Sequence, residues 1–235
     1  MGKLGIYLLA NYPSKKSFIE AVKICQKAGV DFLEIGFPFS DPVADGDLLE
    51  RACYETLRKY DLRDTLESFT AVRKFYRGRL YVMTYTNVVY STGVDAFAER
   101  VGDISGVILA DLPVRESGMF DKALARHGIN TIRFLTPESR EEDIARAVKS
   151  SRDFIYFVSK RGTTGGGFEL NDETKERIAK VRSYGKEVFV GFGIRDRKDV
   201  ELAYSVADGA IIGTRAVQEL SLGLRSFDRY LAGLR

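Results

Sequence analysis

Apolar residues along this chain come in short runs that recur from end to end, separated by stretches where they return every three or four positions. Eight runs have strand length: Gly5–Leu9, Phe32–Gly36, Leu80–Thr84, Gly106–Ala110, Thr131–Leu135, Phe154–Val158, Val188–Gly191 and Gly209–Ile212. The stretches between them carry helical periodicity. Ser14 caps the first, Phe18, Ala21, Val22 and Cys25 share its apolar face, and Gly29 closes it. Further helices are predicted over residues 62–75, 116–126, 140–149, 172–183 and 197–205. Strands alternating with helices imply a parallel sheet with its helices outside. Short right-handed connections let that sheet close on itself, so the expected fold is a single (β/α)8 TIM barrel. An open doubly wound sheet is the rival, but it would place a glycine-rich turn after its first strand, where Leu9-Ala10-Asn11-Tyr12-Pro13 stands instead. No Pro/Ser-rich linker or low-complexity tract interrupts the pattern, so one domain is expected over residues 1–235.

Composition narrows the classes. The chain has 235 residues, 45% of them hydrophobic, enough for one large core. Its net charge of +3 comes from mixed charges without a basic block, which gives no footprint for nucleic acid. No apolar run approaches the roughly 20 residues that cross a bilayer. The opening segment reads as a first strand rather than a signal peptide. Cys25 and Cys53 lack CxxC spacing and histidine neighbours, so free thiols of a reducing, cytoplasmic compartment are expected, and no metal site. The one histidine, His127, sits before Gly128 at an expected helix end, a capping position. Acid–base chemistry then falls to carboxylates, tyrosines or lysines.

In a barrel, chemistry belongs at the C-terminal ends of the strands. Glu34 interrupts the apolar second strand and shares a face with Phe32 and Gly36. A carboxylate buried there either has a raised pKa and works as acid and base, or is a structural group bonded to a partner. Asp45 follows in a segment with Pro38, Pro42 and Gly46, which restrict the backbone; Asp41, after Ser40, is a similar candidate. The segments after the second and sixth strands read as long loops, the first carrying Asp47 and Glu50. Glycines then gather on the rim. Gly162, Gly165, Gly166 and Gly167 follow the sixth strand with Thr163 and Thr164, Gly193 follows the seventh, and Gly213 and Thr214 follow the eighth. Glycine lets backbone N–H groups approach an anion, and barrels hold phosphates at this rim.

The run Leu33-Glu34-Ile35-Gly36-Phe37-Pro38-Phe39-Ser40-Asp41-Pro42-Val43-Ala44-Asp45-Gly46 closely resembles the signature of tryptophan synthase α subunits. Met83-Thr84-Tyr85-Thr86-Asn87, Ala110-Asp111-Leu112-Pro113, Tyr156-Phe157-Val158-Ser159, Gly162-Thr163-Thr164-Gly165, Gly191-Phe192-Gly193-Ile194 and Gly213-Thr214 extend the resemblance, in order, over most of the chain. It implies a carbon–carbon lyase that cleaves indole-3-glycerol phosphate to indole and D-glyceraldehyde 3-phosphate by a retro-aldol step without a cofactor. By resemblance, Glu34 is the acid–base residue, Asp45 bonds the indole N–H, and Tyr156 stands beside the glutamate. Thr164 bonds the aspartate on loop closure, and Gly165, Gly193, Gly213 and Thr214 hold the phosphate. Tyr85 and Met83 form the wall of the indole pocket, a role that plain core packing would also explain. The resemblance further implies a β-subunit partner, met through the loops after strands two and six, with pyridoxal phosphate in that partner only.

The chain departs from the family pattern in places. Asp47 and Glu50 replace the usual proline and glutamine, Lys160-Arg161 precede a glycine triplet at 165–167, and threonine replaces serine after Gly213. Strand one starts so early that the family's N-terminal extra helix is expected to be reduced or absent. Two other functions remain open on these residues: an interaction protein that activates a β subunit with little cleavage of its own, and another phosphate-binding barrel such as an isomerase or prenyl transferase.

Overall fold

The computed structural model describes residues 2–158, 168 and 170–234. Its strands are β1 (Lys3–Leu9), β2 (Phe32–Gly36), β3 (Arg79–Thr84), β4 (Gly106–Leu109), β5 (Asn130–Leu135), β6 (Ile155–Val158), β7 (Val188–Gly191) and β8 (Gly209–Ile212). All neighbours pair in parallel, and β8 pairs with β1, so the sheet closes as a barrel in sequence order. The helices are α1 (Lys15–Lys27), α2 (Asp47–Leu57), α3 (Leu62–Phe75), α4 (Thr86–Thr92), α5 (Val94–Val101), α6 (Gly118–Arg126), α7 (Glu141–Ser150), α8 (Asp172–Ser183), α9 (Arg197–Val206), α10 (Thr214–Ser221) and α11 (Leu224–Ala232). This is the expected (β/α)8 barrel, and among the described residues no helix precedes β1. No helix is long and apolar enough to cross a membrane, and no group of three or more His, Cys, Asp or Glu could hold a metal ion, among the described residues.

Each strand is apolar on both faces because each face meets a different core. Leu33, Ile35, Val82 and Val107 pack outward against the helices, where α1 contributes Phe18, Ala21, Val22 and Cys25. Tyr7, Phe32, Tyr81, Met83, Phe154, Tyr156 and Phe189 fill the lumen. Near its floor Phe189 stacks on Phe154 at 4.4 Å and on Phe32 at 5.2 Å. These rings fit because a neighbouring strand offers a glycine: a Cβ on Gly5 would come within 2.2 Å of the Phe32 ring. Below them the N-terminal strand ends are joined by ion pairs, Lys3 with Glu187 at 2.5 Å and Arg79 with Asp153.

Several helices lie where the periodicity predicts none. Asp47 and Glu50 occupy the first turn of α2, where negative charge complements the exposed N–H groups of the helix end. The segment after β2 is therefore a short loop followed by a helix, with Leu49, Ala52, Cys53 and Thr56 on its buried face. The proline- and glycine-rich run before it masked that spacing. Helices α4, α5, α10 and α11 are each nine residues or shorter, too brief for periodicity to stand out. His127 is the C-cap of α6, its Nε2 lies 3.0 Å from Asp95 Oδ1, and Gly128 follows at φ +73°, as expected for a helix end.

Candidate active site

A cavity enclosing about 770 Å³, counted out to its solvent mouth, opens at the C-terminal end of the barrel. Glu34 enters from the middle of β2, where register pairs it with Tyr7 on β1 and Tyr81 on β3. It is 1% exposed, and among the described residues its Oε2 has no hydrogen-bond partner. Burial, and then the charge of Asp45, push its pKa from 4.5 to about 8. A buried carboxyl of that kind holds its proton at neutral pH and has a free oxygen to offer.

Asp45 comes from the loop between β2 and α2, where its N–H donates to Pro42 O at 2.9 Å. Tyr85, just after β3, donates its hydroxyl to Asp45 Oδ2 at 2.9 Å, and the Tyr85 hydroxyl oxygen accepts the Ala44 N–H at 3.2 Å. Burial raises the Asp45 pKa to about 6, and the Tyr85 hydrogen bond opposes that rise. At neutral pH Asp45 is thus mainly ionised while Glu34 is mainly protonated. Two carboxyls in one cavity with opposite protonation states form an acid and an anion side by side.

Tyr156, Met83 and Leu49 also line the cavity, with Tyr7 between Glu34 and the β8 side. Burial, then Glu34 and Asp45, hold the Tyr156 phenol well above its ordinary pKa, so it stays a neutral donor. β7 is followed by two consecutive left-handed residues, Phe192 at φ +72° and Gly193 at φ +88°. That conformation suits glycine but strains phenylalanine, and strain of this kind gathers at binding sites. Beyond β8, Gly213 is the N-cap of α10 with no side-chain capping bond, and Gly213, Thr214 and Arg215 all face the cavity. The unpaired N–H groups and positive dipole end of a helix start suit an anion.

A family model described as "Tryptophan synthase alpha chain" matches residues 2–229. The chain belongs to the tryptophan synthase alpha chain family. It is 33% identical over 232 residues to the tryptophan synthase alpha chain of Opitutus terrae, covering 97% of this chain and 87% of that one. The solved tryptophan synthase of Mycobacterium tuberculosis superposes with a TM-score of 0.91 at 32% identity, covering 99% and 91% of the two chains. A chain of the α2β2 tryptophan synthase complex of Pyrococcus furiosus superposes with a TM-score of 0.88 at 27% identity, covering 100% and 99%. The activity is that of a tryptophan synthase α subunit, the lyase that cleaves indole-3-glycerol phosphate in tryptophan biosynthesis.

Of the residues singled out by sequence, Glu34, Asp45, Met83, Tyr156, Gly193, Gly213 and Thr214 come together around this cavity. Tyr85 stands behind Asp45, stacked on Phe39 at 5.0 Å, rather than among the lining residues. Asp41 is exposed and accepts a hydrogen bond from Ser40 Oγ at 2.8 Å, away from the cavity. Thr164 and Gly165 lie outside the described residues. Sequence reasoning missed Tyr7, Leu49, Arg195, Arg215 and Gln218, all of which line the cavity. The signal for Arg195 and Arg215 is their place two residues beyond the rim glycines Gly193 and Gly213.

Proposed function

We propose that, within one catalytic domain spanning residues 1–235, Glu34 and Asp45 perform the retro-aldol cleavage between them. Glu34, protonated at neutral pH, donates its proton to C3 of the indole ring. The ring then carries positive charge shared with its nitrogen, and ionised Asp45 accepts the N–H hydrogen bond and stabilises that charge as it develops. Glu34, now a carboxylate, removes the proton of the hydroxyl on the adjacent side-chain carbon. The O–H electron pair forms the aldehyde carbonyl, the carbon–carbon bond breaks, and its electrons restore the aromatic indole. One proton enters and one leaves, so no redox group is required and the two carboxyls suffice.

The separate protonation states of Glu34 and Asp45 in a single cavity carry this reading. Leu49, Met83 and Tyr156 provide the flat apolar space that an indole ring needs, and Gly193, Gly213 and Thr214 receive the phosphate at the start of α10. Thr164 and Gly165 would act from the loop after β6, as the family resemblance implies. Tyr85 acts through Asp45.

The partner in this reading is a tryptophan synthase β subunit, which holds the pyridoxal phosphate; the α2β2 assembly of the P. furiosus relative supports it. Docking uses the loops after β2 and β6, and Val43, 74% exposed in the first of these, is a ready apolar contact. The test is indole release from indole-3-glycerol phosphate by wild type and Glu34→Gln, each with and without a β subunit. Release by wild type and none by the variant is expected; equal release by both would overturn the assignment of Glu34.

A further inference from the structure

The cavity is electrically lopsided. Glu34 and Asp45 line it from β2 and the loop that follows; beyond β7 and β8 it is lined by two arginines, Arg195 and Arg215, that the proposed cleavage does not use. Arg215 is held in place. Its guanidinium pairs with Glu219 at 2.5 Å, donates to Gln218 Oε1 at 3.0 Å and lies 5.8 Å from the centre of the Tyr230 ring. Glu219 is itself 7% exposed and accepts from Ser226 Oγ at 2.6 Å, so this counter-charge is anchored too. A guanidinium has five N–H donors, and these contacts leave some of them for a ligand. They also turn Gln218, another lining residue, so that its carbonyl faces the arginine and its NH₂ group remains as a donor.

Arg195 is built differently. Its backbone is pinned, the N–H donating to Asp199 Oδ2 at 2.8 Å and the carbonyl accepting from the Tyr230 hydroxyl at 2.9 Å. Its side chain is 58% exposed and only loosely paired, with Nε 3.8 Å from Asp199. Tyr230 therefore contacts both residues, and the exposed Arg195 guanidinium belongs to the cavity lining.

We propose that Arg215 as a fixed cation and Arg195 as an exposed one bind the substrate's phosphate in its dianionic form, in addition to the rim glycines. The proposal rests on the reading of this rim as the phosphate end of the site. The physical need is plain. A dianion entering the cavity meets ionised Asp45, a like charge, and full cations add to the partial positive charge that the start of α10 offers. Two cations beyond β7 and β8 attract the phosphate, leave the Glu34 and Asp45 side for the ring, and so set the substrate's direction. Arginine suits the task because its planar fork grips two phosphate oxygens at once.

Inorganic phosphate and glycerol phosphate are titrated calorimetrically into wild type, Arg195→Ala and Arg215→Lys at fixed ionic strength, and the same preparations are assayed for cleavage. Each substitution is expected to weaken phosphate binding and raise KM about tenfold, with kcat held within about twofold, and Arg195→Ala to leave the unfolding midpoint unchanged. Binding of indole alone should not change. Arg195→Ala removes an exposed side chain, so it tests the idea even if Arg215→Lys loosens α10. Unchanged phosphate affinity and KM in Arg195→Ala and in folded Arg215→Lys overturn the proposal, as does a fall in kcat with KM intact. Full cleavage by Glu34→Gln would instead remove the active-site reading, a result that the direct phosphate titration does not share.

Discussion

The Tyr85 hydroxyl is bonded to Asp45 on one side and to the Ala44 N–H on the other, so one phenol fixes both the direction and the charge of this carboxylate. Tyr85→Phe keeps the ring stacked on Phe39 but removes the bond that holds the Asp45 pKa down. Asp45 should then titrate above about 6, and the acid side of the pH–rate profile should move upward with it. Activity at neutral pH is expected to fall about tenfold, the equivalent of losing about 1.4 kcal/mol from one hydrogen bond. An acid limb that stays in place would show that Tyr85 only fills space.

The two carboxyls predict a bell-shaped dependence of kcat/KM on pH. Below about 6 Asp45 gains a proton and no longer stabilises the indole cation; above about 8 Glu34 loses the proton it must donate. The maximum should fall between these values. A plateau running well above pH 8, measured with saturating β subunit to keep the assembly constant, would exclude Glu34 as the proton donor.

Burying Glu34 works against stability in a defined pH window. Below its ordinary value of 4.5 both folded and unfolded chains carry the proton and nothing is lost; between 4.5 and about 8 only the unfolded chain releases it, so the folded state loses ground as pH rises. Glu34→Gln removes this liability. Urea unfolding should show the variant matching wild type at the acid end and exceeding it by a few kcal/mol at the alkaline end, at about 1.4 kcal/mol per unit of difference. A variant less stable than wild type at the alkaline end would mean that Glu34 is a satisfied structural group.

Gly36 closes β2 where the Tyr7 ring crosses it, and a Cβ there would lie 2.0 Å from the Tyr7 hydroxyl oxygen. Gly36→Ala therefore forces Tyr7 aside within the lumen layer that holds Glu34. A loss of about 1–3 kcal/mol is expected from such overpacking, with cleavage reduced more than the stability loss explains. Wild-type turnover in a folded Gly36→Ala protein would show that the position of Tyr7 does not matter to the site.

Much of this was legible in the chain itself because the signals are local. Strand length and period two put Glu34 on one face with Phe32 and Gly36; β2 does span Phe32–Gly36, and the structure makes that face the lumen side. Ser14 and Gly29 marked the ends of α1 through capping chemistry that acts within a few residues. Asp47 and Glu50 were misplaced in a loop because proline and glycine upstream are strong breakers, although Leu49, Ala52, Cys53 and Thr56 keep helical spacing after them.

By itself, then, the order of apolar runs determined eight strands with helices between them, and the motifs at their ends determined which rim would carry the chemistry. Only the tertiary structure decided that Tyr85 stands behind Asp45, and that Arg195 and Arg215 line one cavity with Glu34. The reason is closure of the ring. Pairing β8 with β1 sets residues two hundred positions apart side by side, with Gly213 over Tyr7. Such contacts follow from the tilt and register of all eight strands together, a geometry no local stretch of sequence contains.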